Sequence, residues 1–385
     1  MVTVLLAPDK FKGSLTAAQV ADAVAAGLRD VDPTVTVISS PVADGGDGTL
    51  AAAVAAGYRP VPVTVPGPTG EPVDSGYAVA DNGTAVVELA DACGLDRLPG
   101  RRLDALGSSS AGVGAVIRAA LDAGVRNVVL GIGGSASTDG GAGLVTALGA
   151  RLLDADGAEI PSGGAGLERL DRIDLSGLHP AVADTAFVVA CDVDNPLLGP
   201  NGAAAVYGPQ KGAGPDDVAR LDAALTHWSG VLSDAQGHGA AGHPAAATPG
   251  AGAAGGVGFA ALAVLGAHLR PGIELVLDLT GFHDRLPGAD LVVTGEGALD
   301  TQTLSGKAPA GVAAAAVAAG VPVVAVAGAN LLDLDTLREA GIQAAYTLVE
   351  IEPDVATCVR NAAPLLRQAA RRLAAEQLTA PASSP

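Results

Sequence analysis

Short runs of aliphatic and β-branched residues, each closing on a glycine-rich loop that carries carboxylates or lysines, are the feature that most narrows what this chain can fold into. VTVLL (2–6) runs into APDKFKGSL, VTVIS (35–39) into PVADGGDGTL, and NVVLGI (127–132) into GGSASTDGG. AFVVA (186–190) runs into CDVDNP, and LVVT (291–294) into GEGALDTQTLSGK. Ala-rich segments with helical spacing follow at both ends of the chain. Apolar strands alternating with helices imply parallel strands covered by helices, because parallel neighbours need a crossover that a tight turn cannot supply. The fold class is therefore α/β.

The first block predicts a strand over 2–6 and a helix over 16–28, opened by a capping box between Thr16 and Gln19. Near the other end a strand over 291–294, a helix over 309–319 and the strand VPVVAVAG repeat the arrangement, so the two blocks are expected to share one sheet. Between them, 61–88 alternates with a period of two and is broken by PGPTG and DNG, which predicts local antiparallel pairing. A helix over 110–123 precedes NVVLGI. Over 215–233, Val218, Leu221, Leu225, Trp228 and Leu232 fall on one helical face, so the lone Trp reads as core. A length of 385 residues suits two cores. We expect a Rossmann-like parallel-sheet domain built from 1–66 and 285–385, and an inserted mixed α/β domain over 67–284. The end of the chain, LTAPASSP, is expected to fray.

Charge removes whole classes of partner. With 41 acidic against 22 basic side chains the formal charge is −19, which repels nucleic acid and anionic lipid, and aromatic residues make up only 2%. Cys93, Cys191 and Cys358 form no CxxC pair, and the six histidines form no HExxH. A reduced, cytoplasmic setting is expected, and the start of the chain lacks the pattern of an export signal. The uncharged stretch 308–332 is punctuated by Pro309, Gly311, Gly320, Pro322 and Gly328, so it reads as a buried helix and a buried strand, not a membrane span. Gly250, Gly252 and Gly255 fit GxGxxG literally, but HPAAATP before them is no strand, and GxxxxGK[ST] is absent.

Ligands of open α/β sheets gather where strands end, because backbone amides converge there. Lys10, Lys12, Gly13 and Ser14 make a candidate anion loop, although a solvated loop with an ordinary cap reads equally well. Asp44, Gly45, Gly46 and Asp47 offer two carboxylates on flexible backbone, with a glycine turn bearing surface acids as the plain alternative. Gly133, Gly134, Ser135, Ser137 and Thr138 could line a phosphate, with Asp139 facing a metal. Asp192, just past a strand, is placed to accept a hydroxyl proton, and Asp194 and Asn195 stand beside it; Asp or Asn next to Pro is also ordinary turn chemistry. Glu296, Asp300 and Lys307 again pair acids with a cation.

Taken together, APDKFKGSLTA, PVADGGDGT, GIGGSASTDGGAG, ACDVDNPLLGPNGAAAVYGPQKGA, PGAGAAGGVGFA and TGEGALDTQTLSGK resemble, in order, the motifs of the bacterial glycerate kinases of the first type. The resemblance implies two α/β domains with the active site in the cleft between them. It also implies ATP- and Mg2+-dependent phosphorylation of D-glycerate, with 2-phosphoglycerate as product. Carried over by motif, Asp192 is the candidate base, Lys12 a catalytic cation, Asp44 an acceptor contact and Lys307 a nucleotide contact. Gly45, Gly46, Asp194 and Asn195 join the acceptor side. Gly133, Gly134, Ser135 and Ser137 join the nucleotide side, and Asp139 and Asp300 are the metal candidates. Family members often have Thr at the position of Asp194 and Asn at that of Thr138, and the position of Lys10 varies. A kinase of another small hydroxy acid, or a sensor that binds a phosphorylated metabolite without turnover, would use the same loops. The chain is compatible with a homodimer.

Overall fold

The computed structural model describes residues 1–239, 242–304 and 306–378. The tail expected to fray lies outside the described residues from 379 onward. The strands are β1 (Thr3–Pro8), β2 (Thr36–Ser39), β3 (Arg59–Pro66), β4 (Pro72–Val79), β5 (Thr84–Glu88), β6 (Asn127–Gly131), β7 (Arg151–Leu153), β8 (Arg172–Asp174), β9 (Ala186–Ala190), β10 (His268–Arg270), β11 (Leu291–Leu299), β12 (Val323–Asn330) and β13 (Ile342–Thr347).

The run TVLLAP of β1 is buried at every position but its first, as a strand covered on both faces must be. It pairs in parallel with β2 and β11, and the sheet continues in parallel through β12 to β13, in the order β13-β12-β11-β1-β2. The two ends of the chain thus share one sheet, as their patterns predict. Alternate residues supply its two faces. Val4, Leu6 and Val293 pack with Val20, Val24 and Leu366 of helices Ala17–Val31 and Ala362–Gln377. Leu5, Ala7 and Val292 pack with Ile273, Val276 and Val312 of helices Gly272–Leu279 and Ala308–Ala318. The Thr16 and Gln19 capping box is formed, with bonds of 3.2 and 2.9 Å. The uncharged stretch 308–332 is the helix Ala308–Ala318 followed by β12, and among the described residues no helix is long and apolar enough to cross a membrane.

The second sheet has the order β10-β9-β6-β5-β4-β3. Strands β3, β4 and β5 run antiparallel through the PGPTG and DNG turns, while β5, β6, β9 and β10 run parallel. Its core includes Trp228, fully buried on helix Pro215–Ala235 and edge-to-face with Phe259 at 6.4 Å. The Trp is core, as its helical face predicts, and its indole N–H is satisfied by the carbonyl of Gly140 at 3.0 Å. The short β10 and the β7–β8 hairpin have no counterpart in the sequence reading.

The chain divides into two compact units, 1–44 with 51–57 and 271–385, and 45–50 with 58–270. The first boundary falls earlier than residue 66 because β3 is consumed in pairing with β4 from Arg59 through Pro66. The second falls earlier than 284 because helix Gly272–Leu279 closes the first sheet: a Cβ on Gly311 would meet Ile273 Cγ1 at 2.4 Å.

Candidate active site

In the first unit, three adjacent parallel strands end in acids. Asp9 follows β1, Asp44 lies beyond β2, and Glu296 lies within the C-terminal part of β11. The Asp9 amide is fixed by the Gly295 carbonyl at 2.8 Å, so the carboxylate is delivered at the sheet edge. Burial pushes the Asp9 carboxyl up to about 7; Lys10 opposes the shift and the charges of Asp44 and Glu296 add to it. Burial also raises Glu296, against a hydrogen bond from Thr303 Oγ1 and the charge of Lys307. Asp300 holds its own loop: its Oδ1 accepts from the amides of Gln302 at 2.8 Å and Thr303 at 3.1 Å. Lys12 is exposed, and its amide nitrogen lies 3.7 Å from where a Cβ on Gly297 would stand. Lys307 is the residue before helix Ala308–Ala318.

In the second unit the strand ends again carry the chemistry. Glu88 closes β5, and its buried carboxylate accepts from the amides of Gly48 at 3.2 Å and Leu50 at 2.9 Å, which fixes the GGDG loop. Gly46 comes so close to the turn after β6 that a Cβ on Gly133 would lie 2.6 Å from its Cα. Of that turn only Gly133 and Gly134 reach solvent; Ser135 through Gly140 are buried. Lys211 reaches the loop from inside, donating to Ser135 Oγ at 2.8 Å and to the Ser137 carbonyl at 2.5 Å.

The expected metal-facing role of Asp139 meets a different arrangement. Its carboxylate is fully buried and accepts from the amides of Ser110 at 2.8 Å, Gly141 at 3.1 Å and Gly143 at 3.1 Å, and from Ser110 Oγ at 2.9 Å. A carboxylate so supplied with donors ties the loop to helix Ala111–Asp122 and presents no open side to a cation. The Ser137 hydroxyl is likewise wholly inside the protein.

The loop after β9 leaves Asp192, Val193 and Asp194 exposed. Asn195 is held instead: its amide donates to the Asn201 carbonyl at 2.8 Å and its carbonyl accepts from Tyr207 at 2.5 Å. The glycine-rich segment 249–258, a GxGxxG look-alike, links this loop to the Ser/Gly loop. Gly252 donates its amide to the Asn195 carbonyl at 2.9 Å, and a Cβ there would stand 2.2 Å from the Pro196 carbonyl oxygen. Gly255, at φ +66°, accepts from the Gly140 amide at 2.9 Å, and a Cβ there would stand 2.1 Å from the Ser137 carbonyl oxygen. These glycines let backbones touch.

The candidate residues thus fall into two groups. Lys12, Asp44, Asp300 and Lys307 belong to the first unit. Gly45, Gly46, Gly133, Gly134, Ser135, Ser137, Asp139, Asp192, Asp194 and Asn195 belong to the second. Sequence reasoning passed over Asp9, Glu88 and Lys211 as site residues. Asp9 and Glu88 had a usable signal, an acid just past an apolar strand. Lys211 had only its isolation in the otherwise uncharged stretch AAAVYGPQKGA.

Comparison with known proteins agrees across the whole fold. The pattern of the Glycerate kinase family matches residues 4–378. A glycerate kinase of Halalkalibacterium halodurans is 45% identical over 377 residues, covering 97% of this chain and 98% of that protein. The glycerate 2-kinase of Escherichia coli is 42% identical over 376 residues, covering 97% of each. The crystal structure of a putative glycerate kinase 2 from Salmonella typhimurium superposes with a TM-score of 0.83 at 44% identity, covering 97% of each chain. With strand-end carboxylates and glycine loops in the family's order along nearly its full length, the chain belongs to the glycerate kinase family.

Proposed function

We propose that this chain transfers the terminal phosphoryl group of ATP to the 2-hydroxyl of D-glycerate, in a reduced cytoplasmic setting. The observation that carries the chemistry is the placing of an exposed carboxylate, Asp192, at the end of β9, beside the strand β6 whose end bears the exposed Gly133–Gly134 turn. Asp192 accepts the proton as the glycerate oxygen attacks the γ-phosphorus; the new O–P bond forms while the bond to the β-phosphate oxygen breaks, its electron pair leaving with ADP. Amides of the Gly133–Gly134 turn receive phosphate oxygens, and Asn195, fixed through both ends of its amide, holds the Asp192 loop in register for the acceptor. The identity of the acceptor rests on likeness to the E. coli glycerate 2-kinase.

Mg2+ suits the donor chemistry of the first unit. Asp9, Asp44 and Glu296 are hard oxygen donors whose charges oppose one another, which is the strain a divalent cation relieves, and Mg2+ needs only one or two carboxylates besides phosphate and water. Among the described residues no three His, Cys, Asp or Glu side chains are grouped as a ready-made cage, so one or two of these acids would hold it together with phosphate and water, and there it would neutralise phosphate charge. Lys12 and Lys307 add positive charge near the same strand ends.

The test is direct. Purified protein with ATP, Mg2+ and a panel of hydroxy acids is followed by phosphorus NMR. A new phosphomonoester resonance with glycerate, matching 2-phosphoglycerate, is expected. Turnover of none of the panel removes the kinase reading, and a product matching 3-phosphoglycerate removes the regiochemistry.

A further inference from the structure

Lys211 is 1% exposed, at the end of the 3-10 turn Pro209–Lys211. Its ammonium reaches one hydroxyl and one carbonyl, and among the described residues it makes no ion pair. Asp139 is the charged group whose field reaches it, and that carboxylate is committed to the amides of Ser110, Gly141 and Gly143. Burying an ammonium on two neutral acceptors is costly, and an aliphatic side chain would fill the space without that penalty. Core packing alone therefore does not account for a lysine.

A second, independent observation lies in the same loop. Ser137 Oγ and Thr138 Oγ1 are fully buried and have no hydrogen-bond partner. A buried hydroxyl left without a partner is destabilising. Two of them side by side, next to a buried cation, make this stretch far more polar than its surroundings require. The opposite side of the loop is held by backbone: Gly255 touches Ser137, and Ala254 takes a left-handed conformation at φ 53° to let it do so. A non-glycine residue there is strained.

We propose that Lys211 is a positioning residue for nucleotide binding: it fixes Ser135 and Ser137 to one point, so that the Gly133–Gly134 turn keeps the shape that receives phosphate. The inference rests on the reading of this turn as the phosphate contact.

The test pairs Lys211→Met, which keeps length and removes charge, with Gly134→Asp, which sets a negative charge on the turn itself. For each, the KM for ATP, the KM for glycerate and the inhibition constant of inorganic tripolyphosphate are measured beside a thermal melt. Lys211→Met is expected to raise the ATP and tripolyphosphate constants by about tenfold or more while the glycerate KM stays within about twofold, and Gly134→Asp to do the same. A lower melting temperature with unchanged phosphate constants in Lys211→Met, while Gly134→Asp raises them, overturns the role of Lys211 and leaves the turn as phosphate contact. Unchanged constants in Gly134→Asp remove the turn from phosphate binding, and the proposal with it. Should Lys211→Met not fold, Ser135→Ala takes its place, removing one anchor and leaving the charge. A rise of about threefold in the tripolyphosphate constant is then expected, and none overturns the proposal.

Discussion

Two residues apart on one exposed loop, Asp192 and Asp194 carry the same functional group. Asp192 lies nearer the end of β9, where the backbone is still held by the sheet, so its position is the better defined. Replacing a general base commonly lowers turnover by about 100-fold or more, so Asp192→Asn is expected to lower kcat by that order and Asp194→Asn by less than tenfold. Steady-state rates of the two single variants decide this, and equal losses would remove the assignment. Asp9 makes a prediction of a different kind. Its carboxyl titrates near 3.8 in the unfolded chain and at about 7 in the folded one, with burial the leading cause. Between those values the folded chain holds a proton that the unfolded chain has released, so stability falls as pH climbs through that window. Asp9→Asn removes this share of the fall. Urea unfolding should find the variant more stable than the parent by roughly 2–4 kcal/mol at pH 8, and equal to it near pH 4. An unchanged midpoint at pH 8 would contradict the half-buried, crowded setting of this acid.

The elements were legible wherever a pattern ran long enough to show its period. β1, β6, β9, β11 and β12 read directly as buried strands, and the capping box marks the start of helix Ala17–Val31 within one residue. β10, β7 and β8 have three residues each, too few to display alternation. The loops announced themselves by composition, but what each side chain does in them depends on distant partners. Lys211 and Ser135 are 76 residues apart, Glu88 and Gly48 are 40 apart, and Asp139 and Ser110 are 29 apart. No local pattern carries those pairings, so the amides that the Asp139 carboxylate accepts from could not be foreseen from GGSASTDGG alone. Segment 249–258 has no strand before it and so lacks the context of a nucleotide fingerprint, yet its glycines matter for contact. Gly252→Ala would drive a methyl group into the Pro196 carbonyl, and is expected to cost about 1–3 kcal/mol and to disturb the Asp192 loop. Gly288→Ala, where a Cβ meets nothing within 4 Å, serves as the control and should leave both stability and turnover near the parent. Matching denaturation curves for Gly252→Ala and the parent would mean the loop yields easily.

For the molecule as a whole, a formal charge of −19 sets a field that anionic substrates must cross. Salt screens that field within about 10 Å at 0.1 M. The kcat/KM for glycerate at fixed free Mg2+ is therefore expected to rise as ionic strength goes from about 10 to about 150 mM; a steady decline would mean that local cations such as Lys12 and Lys307 dominate capture. The path of the backbone has a consequence of its own. It passes from one compact unit to the other at 44/45, 50/51, 57/58 and 270/271, and the six residues 45–50 belong with the second unit although the first flanks them on either side. A gene encoding this chain cannot trade one unit for a relative's by a single crossover: any cut that frees residues 58–270 strands the loop that Glu88 holds. An exchange that keeps the loop with its anchor has to carry residues 45–50 along with 58–270, and with them the short helical stretch 51–57 that belongs to the other unit.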